Sequence, residues 1–174
     1  MLELVGTSMA TVPHAFGHVM EAMLLHGLKL GPLVAAIRHA TPGDDRAFHA
    51  NIAQLILEAE RINPGSKLAM RHCARNTILP SGEALRAGET VFLLTAAANL
   101  DARVFPEPGR FVLPVLERRG PKRPVEAYLM FGAGKDRSCW GRDRFAMAML
   151  REFTLQAARL EGLRRIAGPE GRMK

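Results

Sequence analysis

A chain of 174 residues, 48% of them hydrophobic, is long enough to bury one core of ordinary domain size. Its net charge of +7 raises nucleic acid as a partner, but the arginines fall in small separate clusters (Arg118/Arg119, Arg142/Arg144, Arg164/Arg165) and one Tyr and one Trp make no stacking platform, so nucleic acid is set aside. No apolar run approaches the ~20 residues of a membrane span, no basic segment precedes an apolar one as in a secretory signal, and two distant cysteines, Cys73 and Cys139, point to a reducing cytoplasm rather than a disulfide framework.

The first expected element is a helix over residues 2–26. Leu4, Val5, Val12, Ala15, Phe16, Val19, Met20, Met23 and Leu24 recur at i+3/i+4 spacing. Pro13 lies inside it, where a proline removes a donor and should kink the helix. Gly27 and Gly31-Pro32 end it, and residues 32–39 suit one or two short helical turns. TPGDD at 41–45 is a turn in which Asp44 or Asp45 can cap a second helix running to about Ile62, before Pro64-Gly65. The pattern then changes to short strands joined by glycine turns over 68–79 and 80–96. Two Pro/Gly-containing stretches follow, ANLDARVFPEPGRF and LERRGPKRPVEAY, the second carrying a basic run. After the loop FGAGKDRSCWG, residues 142–163 read as a last strong helix, with Met147, Met149 and Leu150 as packing residues. There is no internal repeat.

The loop Phe131–Gly141 holds Cys139 after Lys135 and Arg137 and just before a helix N-terminus, a setting that favours a thiolate. Gly132, Gly134 and Gly141 let the backbone approach a flat ligand closely. The residues alone allow either a ligating thiolate under a planar cofactor or a buried structural cysteine. Glu58 and Arg61, three apart, share a helix face; by themselves they read as a surface ion pair of little energetic weight, the alternative being a buried pair that holds a distant loop. His14 and His18, four apart, could hold a metal, but no third ligand is evident and they read as surface or pocket-lining residues. Cys73 reads as a small strand residue.

In combination, E-x-x-R-x-x-P at Glu58, Arg61 and Pro64, an arginine-bearing strand, and F-x-x-G…R-x-C-x-G before a final helix resemble the C-terminal part of cytochrome P450. The resemblance extends over essentially the whole chain, read as one truncated domain over 1–174. It implies a mainly α fold with small β-sheets, lacking the N-terminal half of the family's catalytic domain. It implies haem b as cofactor, with Cys139 as the axial iron ligand, Phe131, Gly134 and Gly141 shaping the haem loop, and Arg137 and Arg71 holding propionates. Glu58 and Arg61 would support that loop with Arg123, or next Arg118, completing a triad. The first helix would be the distal helix, with Thr11 helping to deliver protons to bound oxygen. Three departures stand out: one extra residue between Gly134 and Arg137, Phe145 where a small residue is usual, with Ala146 one further on, and Ala10 where an acid usually precedes the threonine.

The implied activity is that of a monooxygenase acting on a small apolar or lipid-like substrate, with a ferredoxin- or flavin-type electron donor docking on a basic face. Ala10 suits instead a peroxide-using or hydroperoxide-isomerising haem-thiolate enzyme, which needs no acid–threonine relay. A separate N-terminal half would close the pocket, and a fused oxygenase module is the other partner that the resemblance implies. The non-enzymatic alternative is a truncated remnant or interaction module.

Overall fold

In the computed structural model, residues 2–27, 31–35, 46–113, 128–129 and 143–164 are described, with side chains from residue 12 in the first helix, 51 in the second and 145 in the last. The elements in chain order are α1 (Leu2–Leu25), α2 (Arg46–Ile62), β1 (Ala69–His72), β2 (Thr77–Ile78), β3 (Ala84–Leu85), β4 (Thr90–Leu93), the single turn α3 (Thr95–Ala98) and α4 (Asp143–Arg159). Residues 31–35 are also helical. The described chain is thus mainly helical with two small sheets.

The core lies where α1, α2 and α4 pack on one another. Each contributes a stripe at helical spacing: Val12, Ala15, Val19, Ala22 and Met23 from α1, Ile52, Leu55, Ile56 and Ala59 from α2, and Ala146, Met147, Leu150 and Ala158 from α4. Alanines at 15, 59, 146 and 158 allow close helix approach, and the large aliphatic side chains fill the spaces between. Each buried Leu or Ile side chain contributes roughly 1.5–3 kcal/mol. The helix α1 runs unbroken through Pro13. That proline is exposed, so it costs a backbone hydrogen bond but displaces no core side chain, and the buried stripe on both sides of it holds the helix together.

The strands are shorter than the expected segments. β1 pairs antiparallel with β4, with Met70 opposite Phe92 and Arg71 opposite Val91. β2 pairs antiparallel with β3 through a turn in which Leu79 N donates to Glu83 O and Gly82 N to Leu79 O. Gly82 has φ +99°, a conformation open to glycine at no steric cost. Residues 95 and 96, expected at the end of a strand, fall in the turn α3 (Thr95–Ala98), and Thr95 Oγ1 donates to Ser66 O. α4 ends at Arg159 rather than Leu163. There Leu160 N donates to Ala157 O, Gly162 takes φ +70°, and Leu160 and Leu163 are exposed, so no core contact extends the helix. Among the described residues, no helix is long and apolar enough to cross a membrane.

Candidate functional site

Glu58 and Arg61 lie one turn apart at the C-terminal end of α2, and both side chains are fully buried. They are not the surface pair that the spacing alone suggested. Arg61 Nε donates to Glu58 Oε2 at 2.9 Å and Nη2 to Oε1 at 2.8 Å, a fork-to-fork pair. The remaining donors reach along the chain. Nη1 serves Asn99 O at 3.1 Å and Pro108 O at 2.6 Å, and Nη2 serves Arg110 O at 2.9 Å. A guanidinium has five N–H donors, and each has an acceptor here. The Phe105 ring, itself buried, lies 4.8 Å beneath the guanidinium carbon.

Glu58 uses its other lone pairs in the same way. Its Oε1 accepts from Val112 N at 2.9 Å and its Oε2 from Tyr128 Oη at 3.3 Å. One buried ion pair therefore gathers backbone at 99, 108, 110 and 112 and the side chain of Tyr128. This irregular stretch has no sheet ladder of its own, and a buried carbonyl without a partner is costly. The charged pair supplies those partners. Breaking a buried pair by removing one member leaves a charge without compensation, which is why its loss costs far more than that of a surface pair.

A second buried carboxylate was not evident from the sequence. Glu60 is 3% exposed; its Oε1 lies 3.1 Å from His18 Nδ1 and its Oε2 accepts from Gly65 N at 2.9 Å. His18 is thereby drawn partly inward to tie α1 to the end of α2, while its edge-on neighbour His14 stays exposed. Among the described residues, no three His, Cys, Asp or Glu side chains assemble into a metal site. The alternation of Glu58 and Glu60 two positions apart on a helix was the signal available, since residues so placed point to different neighbours.

Arg71 lies on β1, exposed, with Nη1 donating to Met70 O at 2.8 Å. It does not join the Glu58–Arg61 cluster, and among the described residues it has no acidic partner. Thr11 lies within α1, but its side chain is outside the described residues. Arg118, Arg123, Phe131, Gly134, Arg137, Cys139 and Gly141 also lie outside them. Cys73 is partly buried, and its thiol donates to Arg75 O. At the start of α4, Phe145 is 50% exposed while Ala146 is 1% exposed, so the small residue one position later occupies the inward place. At the edge of the gathered stretch, Arg103 holds the Asp101 carboxyl down to about 2 through hydrogen bonds and charge, and Asp101 in turn raises Arg103.

The cytochrome P450 family profile matches residues 52–157, more than half of the chain, including Glu58, Arg61 and Cys139. A bifunctional dioxygenase–epoxy alcohol synthase of Fusarium oxysporum is 34% identical over 90 residues, covering 52% of this chain and 6% of that protein. The cytochrome P450 monooxygenase ausG of Aspergillus calidoustus is 32% identical over 97 residues, and that of Penicillium brasilianum 31%; each alignment covers 51% of this chain and 18% of the relative. The crystal structure of CalO2 superposes with a TM-score of 0.66 at 28% identity, covering 92% of this chain and 35% of CalO2. The chain therefore spans about a third of that solved structure and a smaller share of the curated relatives, and with its profile match running from α2 into α4 it belongs to the cytochrome P450 family.

Proposed function

We propose that the chain is the haem-binding portion of a haem-thiolate monooxygenase, with Cys139 as the axial ligand of haem b. The observation that carries this reading is the family match over 52–157, a span of sequence that includes the buried Glu58–Arg61 pair and Cys139. The residues suit the group. A single thiolate is the soft donor that haem iron accepts, and Arg71 has a guanidinium bound to nothing more than a neighbouring carbonyl among the described residues, free to hold a propionate. A bound haem thiolate supplies oxygen or peroxide activation.

The chain's own residues have the following roles in this reading. Glu58 and Arg61 fix the stretch that precedes the cysteine loop, with Arg123 as the expected third member of the network. Arg137 and Arg71 neutralise carboxylates. Phe131 excludes water, and Gly134 and Gly141 permit close backbone approach. Thr11 has the role of proton delivery, to which a positioned proton donor contributes about 10²–10⁴-fold. The substrate is small and apolar or lipid-like, and a ferredoxin- or flavin-type protein delivers electrons to a basic face in a cytoplasmic setting. The pocket is closed by the remainder of a P450 fold, on the same polypeptide or on a separate chain.

A second reading has its own support. Ala10 replaces the acid before Thr11, and one relative is a dioxygenase joined to an epoxy alcohol synthase. Hydroperoxide isomerisation needs neither the acid nor an electron donor, and an oxygenase module would supply the hydroperoxide. The ferrous-CO spectrum of the purified chain tests the shared premise. A Soret band at the thiolate position that is lost in Cys139→Ser is expected; absence of haem uptake would leave a non-catalytic module. Product formation from a fatty-acid hydroperoxide without reductant selects the isomerase, and reductant-dependent oxygen insertion the monooxygenase.

A further inference from the structure

Asn99 is 1% exposed and follows α3 in helical conformation, φ −68° and ψ −14°. Its backbone is held at both ends: N donates to Thr95 O at 2.9 Å, and O accepts from Arg61 Nη1 at 3.1 Å. With its Cα so fixed, the side chain is aimed. Oδ1 accepts from Leu129 N at 3.1 Å, across 30 positions of sequence. Leu129 stands two residues before Phe131, the first residue of the cysteine loop. One residue thus touches the Arg61 cluster through its backbone and the approach to that loop through its side chain.

The amide is committed to this contact at a cost. Nδ2 is buried and, among the described residues, has no hydrogen-bond partner. Rotating the amide by half a turn would set Nδ2 against the Leu129 N–H, donor against donor, so the contact with Leu129 decides the orientation. Unpaired buried donors are rare, and one retained in this way marks a contact that outweighs it.

We infer that Asn99 is a positioning residue that couples the buried Glu58–Arg61 pair to Leu129 and so sets the approach to the cysteine loop. The coupling needs a neutral or anionic acceptor at Oδ1, and the idle Nδ2 donor is dispensable to it. The inference deepens the haem-thiolate reading and rests on it for its functional meaning, whereas the coupling itself is present without cofactor.

Hydrogen exchange of the whole cofactor-free chain, read at single amides, provides the test. Asn99→Leu keeps the branched shape of the side chain and removes the acceptor, and it is expected to speed exchange of the Leu129 amide by about tenfold while α1 and α2 core amides hold their rates. Asn99→Asp restores the acceptor and is expected to restore protection. An unchanged Leu129 rate in Asn99→Leu, a uniform rise across all amides, or no rescue by Asp overturns the inference. In haem-loaded protein, Asn99→Leu is expected to lower the thiolate-ligated fraction in the ferrous-CO spectrum, with Asp again restoring it. An unchanged spectrum beside a faster Leu129 amide overturns the link to the loop. If the wild-type chain takes up no haem, the haem-thiolate reading falls, and the exchange rates still decide whether Asn99 couples the pair to Leu129.

Discussion

At the scale of single residues, Arg61 does what no other side chain could. Its planar fork pairs with both Glu58 oxygens while the outer donors hold three carbonyls. Lysine has three donors on a point charge and cannot serve five acceptors. Arg61→Ala should therefore lower unfolding free energy by about 3–5 kcal/mol in urea denaturation, since it breaks a buried ion pair and takes the donor from three carbonyls. Arg61→Lys should recover only part of that loss. The exposed pair of Asp101 and Arg103 behaves differently. The carboxyl falls from its ordinary 3.8 to about 2 in the folded chain, so its contribution is complete above pH 3.8 and is lost as pH falls toward 2. Carboxyl-carbon NMR should place the Asp101 midpoint near 2, and Arg103→Ala should move it up toward 3.8.

At the scale of elements, the three helices carry the core and the sheets carry little of it. Leu150 is 1% exposed at the meeting of α4 with α1 and α2. Leu150→Ala should cost about 2–5 kcal/mol, measured by denaturant unfolding. The β2–β3 turn depends instead on backbone conformation. Gly82→Ala forces a Cβ into φ +99° and should cost about 1–2 kcal/mol, although nothing lies near enough to clash. Periodicity made α1, α2 and α4 legible because their buried stripes repeat at helical spacing. It did not reveal the early end of α4, since Leu160 and Leu163 continue the apolar pattern into solvent. It also could not assign residues 95–98, where the bond from Thr95 to Ser66 O helps fix a helical turn.

At the scale of the whole molecule, the apolar surface is unevenly covered. Met70 and Phe92 face each other across β1 and β4 and are 52% and 58% exposed, with Leu68, Leu93 and Leu94 also exposed nearby. A two-stranded sheet with an open apolar surface gains little from its own contacts. Phe92→Lys should therefore change stability by no more than about 0.5 kcal/mol while reducing binding of a hydrophobic dye. A large loss of stability would show that this surface supports the helical core.

The order of motifs was legible in the sequence by itself. Glu58, Arg61, Pro64 and Cys139 stand at fixed spacings that require no folding to read, and they sufficed to reach the family. The helical core was equally visible, because burial on a helix leaves a linear trace every three to four residues. Only the tertiary structure decided that Glu58 and Arg61 are buried, that Glu60 meets His18, and that Asn99 joins Arg61 to Leu129. Those contacts bridge 30 to 54 positions, between two helices for Glu60 and His18 and through irregular backbone for the others, where no periodicity marks a partner. A buried polar pair and an exposed one have the same spelling, and only the chain folded around them sets the dielectric and supplies the acceptors.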